Sequence, residues 1–105
     1  MAALDLDRIW TLEDFAGRVG EIFYVGFDDG TIVELVLREA EALSTRGARP
    51  ENLRPPFRLS FLTQDPRILP QQVYGTSHAE LGHIPLFLVA SGKDERGVFY
   101  EVTFN

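Results

Sequence analysis

The sequence predicts a mainly β fold: a small antiparallel barrel or roll of about six strands with one short N-terminal helix, built as one domain over residues 1–105. Three observations lead there. Short segments rich in aromatic and β-branched residues recur along the chain, turns of hairpin length separate most of them, and a single stretch carries helix-capping chemistry. A chain of this length buries roughly two-thirds of its unfolded surface, enough for one core. Eight Phe, three Tyr and one Trp supply the bulk to fill it and argue against intrinsic disorder.

The helix begins at Trp10-Thr11-Leu12-Glu13-Asp14-Phe15. Thr11 is placed to cap it and Asp14, three residues on, to answer, which makes a capping box with a slightly short acid arm. Trp10 before the cap and Phe15 at the fourth helical position form the pair of a hydrophobic staple. Glu13 and Asp14 suit the positive end of the helix dipole, and Gly20 after Val19 is a left-handed stop, so the helix is expected over residues 12–19.

From Glu21 the period changes. Residues 21–27 read as a strand, Asp28-Asp29-Gly30-Thr31 as a hairpin turn, and residues 31–40 as a second strand with Val33, Leu35 and Leu37 on one face. Glu, Leu and Ala also allow a helix over residues 32–43, and the Asp-Gly turn is what favours the strand. Residues 44–56 form a polar connection too long for a tight turn, either a functional loop or a poorly ordered one. Phe57, Leu59 and Phe61 alternate with Arg58 and Ser60 as a third strand. Residues 64–72 are irregular, with Ile68 and Leu69 closing one end of the core.

Residues 73–78 form a fourth strand, and Ala79-Glu80-Leu81-Gly82 turns it into a fifth over residues 84–90. That strand is apolar on both faces at Leu86, Phe87, Leu88 and Val89, so it is expected to be central or covered. Pro85, which cannot donate to a ladder, belongs near its start or at a bulge. Residues 91–97 read as a charged hairpin loop and residues 98–105 as the sixth strand. Mostly sequential hairpins make an antiparallel meander curled on itself.

Composition excludes several functions. Without Cys there is no disulfide, thiolate metal site or catalytic thiol. A net charge of -6 disfavours nucleic acid, whose non-specific binding needs Lys and Arg against phosphates. No apolar run reaches the length of a membrane span, so no membrane association is expected. The N-terminal residues lack a secretory signal, which leaves folding in the cytoplasm as the expectation; export by a signal-independent machine would leave no trace.

Candidate sites are few. His78 and His83 flank a turn that also carries Glu80, a donor set zinc accepts, yet each residue is ordinary on an exposed hairpin, so the three stand as a weak polar site and no metal or cofactor is assigned. Ser77 beside His78 points to the opposite face of a strand, and Ser60, Ser77 and Ser91 lack a nucleophile elbow. With no catalytic residues assigned, a non-enzymatic role is expected. Phe23, Phe57, Phe61 and Tyr74, with Phe27 and Phe87, either fill the core or line a small-molecule cavity. The two irregular segments hold Arg46, Arg49, Arg54 and Arg67, with Arg58 next to the first, and these five either mark a contact surface for an acidic protein partner or a second copy or are simply solvated.

Several segments together resemble a family of small, uncharacterised bacterial proteins classed as a domain of unknown function. They are Thr11-Leu12-Glu13-Asp14-Phe15 with Val19-Gly20, Pro56-Phe57, Leu69-Pro70-Gln71 with Tyr74, His78 with Glu80-Leu81-Gly82, Leu86-Phe87-Leu88-Val89, and Tyr100-Glu101 through Phe104-Asn105. Gln72 and Ala79 stand where members of the family often carry Gly and Pro, differences confined to turns. The resemblance implies no catalytic residues. It implies an association with tail-collar-like, phage-derived assemblies, and with it a structural or assembly role.

Overall fold

The structure, a computed structural model, describes residues 9–43 and 55–105. A helix α1 (Leu12–Ala16) precedes six strands: β1 (Ile22–Gly26), β2 (Ile32–Ala42), β3 (Phe57–Thr63), β4 (Gln72–His78), β5 (Gly82–Asp94) and β6 (Gly97–Phe104). They close a barrel in the order β1-β2-β3-β6-β5-β4, every pair antiparallel. The expected mainly β barrel with one short helix is therefore present.

Its path differs from a simple meander. β1-β2-β3 and β4-β5-β6 are two three-stranded meanders, and the barrel closes where β3 pairs with β6 and β1 with β4. Residues 64–71 must then cross one end of the barrel, because β4 starts on the far side of β1. That crossover end also carries the β1–β2 and β5–β6 turns; the opposite end, here the helix end, carries α1 and the β4–β5 turn.

Alternation places the core. In β3 Phe57, Leu59 and Phe61 are buried while Arg58, Ser60 and Leu62 face outward, and β6 repeats the pattern with Val98, Tyr100 and Val102 inside. Phe15 of α1 is fully buried at the helix end, with ring centroids 5.7 Å from Trp10, 6.2 Å from Phe23 and 5.9 Å from both Phe57 and Phe104. The Asp14 carboxylate accepts the Thr11 backbone N–H at 2.9 Å and its hydroxyl at 3.2 Å, so the acid arm reaches after all.

Two elements depart from expectation. α1 stops at Ala16 rather than at residue 19, because Gly17 already ends it; Gly20, at φ 95°, instead hands its N–H to the Leu37 carbonyl at 2.7 Å and starts the sheet. The second strand is present as expected, over Ile32–Ala42 and paired with β1 and then β3, and the alternative helix over residues 32–43 does not form. The segment from Ser91 to Asp94 is not loop but the outer arm of β5, with Gly92 opposite Phe99 and Lys93 opposite Val98. Gly97 then allows the tight return, since a Cβ there would stand 2.0 Å from the Thr63 carbonyl oxygen. No helix among the described residues is long and apolar enough to cross a membrane.

Candidate functional site

The outer surface of the barrel divides into two walls. Outward positions of β2, β3 and β6 carry Glu34, Arg38, Glu39, Glu41, Arg58 and Glu101. Those of β1, β4 and the first part of β5 are Ile22, Tyr24, Gly26, Val73, Gly75, Ser77, His83, Pro85, Phe87 and Val89, with no Asp, Glu, Lys or Arg among them. Register builds this second wall: Val73 lies opposite Phe87, Gly75 opposite Pro85, Ser77 opposite His83, and Tyr24 beside Ser77. Val73 is 61% exposed and Phe87 44%.

β5 is thus not covered on both faces. Ile84, Leu86 and Leu88 point into the core, and Phe87 points to solvent beside a cleft of about 500 Å³ whose lining includes Val89, Ala90, Glu101 and Thr103. Pro85 lies in a stretch of β5 that has β4 on one side only, since pairing with β6 begins at Val89, and this is where a ladder tolerates a missing N–H.

Of the five Arg positions, Arg46, Arg49 and Arg54 lie outside the described residues. The other two are not neighbours: Arg58 is the second residue of β3, toward the helix end, and Arg67 sits in the crossover at the other end. Each is held by carboxylates of its own chain. Arg58 pairs with Glu41 and, at 3.5 Å, with Glu101, while Arg67 reaches Asp65 at 2.6 Å. The Arg67 hydrogen bonds hold the Asp65 carboxyl down to about 2, and Arg96 likewise lowers Asp94. Arg58 and Arg67 therefore present paired rather than free charge.

The polar candidates also separate. His78 is buried against Phe23, ring centroids 4.6 Å apart, whereas His83 is exposed on the outer face. The His78 Nδ1 accepts the backbone N–H groups of Glu80 at 3.1 Å and Leu81 at 3.2 Å, which places the ring proton on Nε2, donating to Glu21 Oε1 at 2.7 Å. Glu80 itself receives Arg18 at 2.8 Å. His78 thus caps the β4–β5 turn from inside and ties it to the start of β1. No group of three or more His, Cys, Asp or Glu among the described residues is arranged to hold a metal. Ser77 faces outward and His78 inward, as their adjacency in a strand requires.

The aromatic set is divided too. Phe23, Phe57, Phe61 and Tyr74 fill the interior, Phe27 packs on Tyr74 at the crossover end, and Phe87 is outside. Among the described residues the core is occupied by side chains, and the clefts beside Phe87 and between β2 and residues 62–65 lie on the outer surface.

The fold and its surface define a small closed antiparallel barrel with a filled core and one outer wall free of charged side chains. The chain belongs to the family described as Domain of unknown function (DUF6916), whose model matches residues 10–104. No curated protein and no solved structure matches it.

The apolar wall was only half legible. The alternation of Pro85, Phe87 and Val89 against Ile84, Leu86 and Leu88 is readable in the sequence, and β5 does lie between β4 and β6, but its own chain leaves its outer face uncovered.

Proposed function

We propose that this domain is a non-enzymatic protein-interaction module that pairs with a second copy of itself through the outer wall of β1, β4 and β5. One observation carries the reading: β5 has the composition of a strand buried on both faces, and its own chain leaves Phe87 and Val73 exposed as a cross-strand pair. The charge distribution favours a second copy as the occupant. Each chain carries -6, and wall-to-wall contact across this face brings no carboxylate against another. A twofold arrangement lets the Val73–Phe87 pair of one copy meet that of the other. A component of a larger bacterial or phage-related assembly is the setting that the family resemblance, with its implied association with tail-collar-like assemblies, suggests, and a self-pairing barrel suits it.

Sedimentation equilibrium tests the reading. The wild-type protein is expected to dimerise reversibly, and Phe87→Glu to weaken the dimer roughly thirtyfold, the effect of losing about 2 kcal/mol at an interface hot spot. Phe87 is outside the core, so unchanged thermal unfolding of the variant monomer shows that the fold is intact. A wild-type protein that stays monomeric up to about 1 mM, a concentration at which even an interaction of only about 4 kcal/mol is half formed, overturns the proposal.

A further inference from the structure

The barrel is closed by hydrogen bonds along most of its circumference, but its strands are offset, and the offset leaves one stretch of β2 half paired. Ile32, Val33, Glu34 and Leu35 lie opposite β1 residues, whereas pairing with β3 begins only at Val36, opposite Leu62. β3 ends at Thr63, and the crossover departs there. The hydrogen bonds at the two ends of the β1–β2 ladder reveal which backbone groups are left over. Phe27 N–H donates to Thr31 O at 2.9 Å, Leu37 N–H to Glu21 O at 3.0 Å and Gly20 N–H to Leu37 O at 2.7 Å, so odd-numbered residues of β2 face β1. Ile32 and Glu34 therefore turn their N–H and C=O groups the other way, toward the place β3 has vacated.

That place is open. A cleft of about 420 Å³ occupies it, lined by Ile32, Val33, Glu34, Val36 and Arg38 on one side and by residues 62–65 on the other. The comparable stretch of β5, which has β4 alone beside it, carries Pro85, a residue that discourages strand addition. β2 has no proline there. Its exposed side chains there are Ile32, 64% accessible, and Glu34, with neither a lysine nor a proline among them.

We propose that this edge is a strand-addition site for an extended segment of a partner polypeptide, which continues the antiparallel register of β3 past Leu62 and pairs with Ile32 and Glu34. Unpaired backbone groups repeating every second residue are matched by another peptide chain, and an extended chain is the occupant with that spacing. Four residues, spanning about 13 Å, fill the stretch opposite residues 32–35. The side chains of the site state the partner's chemistry further. Ile32, Val36 and Leu62 call for an apolar side chain. Arg38 borders this cleft and, together with Lys93, an adjoining one, and neither has a carboxylate partner among the described residues, so the end of the segment nearer Val36 carries an acid. Glu34 disfavours an acid at the opposite end. The site lies on β2, away from the wall assigned to self-pairing, and does not depend on it.

The premise and the proposal are tested in sequence on the full chain carrying Phe87→Glu, so that dimerisation does not intervene. In the free protein, amide hydrogen exchange is expected to be fast at Ile32 and Glu34 and slow at Val33, Leu35 and Leu37; protected Ile32 and Glu34 amides close the edge and overturn the proposal. A displayed library of random heptapeptides is then selected on the immobilised protein, and the enriched peptides are synthesised. They are expected to slow exchange at Ile32 and Glu34, to carry an apolar residue next to an acidic one, and to lose at least tenfold in affinity when alternate backbone amides are N-methylated. Arg38→Glu is expected to weaken them about tenfold, and Ile32→Pro, which removes an N–H that the β1 ladder does not use, to abolish them. No enrichment, or enriched peptides that protect a different surface, overturns the proposal.

Discussion

The two ends of the barrel are sealed by different chemistry. At the helix end the closure is made of rings: Phe15 sits among Trp10, Phe23, Phe57 and Phe104, and Phe57 stacks on Phe104 with centroids 4.5 Å apart and planes 9° from parallel. At the crossover end it is made of hydroxyls. Tyr100 accepts the Leu69 N–H at 2.9 Å and donates to the Arg67 carbonyl at 3.3 Å, while Tyr74 donates to the Pro70 carbonyl at 2.6 Å. Burial raises the Tyr74 pKa, which keeps that proton in place. A five-residue helix has little stability of its own and is fixed by the side chain it buries. A crossover without regular structure has backbone groups to satisfy, and the tyrosines satisfy them from inside the core.

The contrast predicts effects of different size. Phe15→Ala removes the centre of the ring cluster and is expected to destabilise the fold by about 3–5 kcal/mol, a large share of the roughly 5–15 kcal/mol typical of a domain. Urea denaturation measures it. Tyr100→Phe keeps the ring and its volume but leaves the Leu69 N–H without its partner; the expected loss is about 1–3 kcal/mol, with faster amide exchange at Leu69. If the hydroxyl deletion costs as much as the ring deletion, the two ends are not sealed differently and the comparison fails.

The smallest effect is electrostatic and belongs to the crossover alone. Asp65 has a folded-state pKa of about 2, lowered first by its side-chain bonds to Arg67. Because the folded value lies below the unfolded value of about 3.9, the pair contributes stability above that pH and loses it as pH falls through about 2. Asp65→Asn is expected to flatten this part of the acid dependence without altering the response to Phe15→Ala. A carboxyl resonance of Asp65 that titrates near 4 contradicts the pairing.

What was legible in the sequence was local. The Asp28-Asp29-Gly30 turn, with Gly30 at φ 88° and the Asp29 carboxylate accepting the Thr31 N–H at 2.9 Å, lies within a few residues of chain. The alternation of Phe57, Leu59 and Phe61 is equally local. The crossover was not readable, because it follows from β3 finding β6 rather than β4, a choice made between distant segments. Ser91 to Asp94 looked like loop because it is polar and contains Gly92; its strand is held by backbone pairing to β6 and not by burial. His78, a weak polar candidate in the sequence with no metal assigned, is held by two amides of its own turn and a glutamate 57 residues earlier in the chain, partners that local spacing does not reveal. The unpaired edge of β2 had no sequence signal, since it comes from the offset between β2 and β3.

The β3–β6 pairing also sets an order of events during folding. Phe57 faces Phe104 and Thr63 faces Val98, so β3 has no second neighbour until the last strand has been made. The first meander can form by local hairpin closure, but it waits with one side of β3 unpaired while more than thirty residues are added. Closure over so long a separation is slow, in the range of milliseconds to seconds for barrels of high contact order. A nascent chain that lacks residues 97–104 is therefore a sheet with an open side, and its exposed β3 is the segment from which aggregation is expected to start.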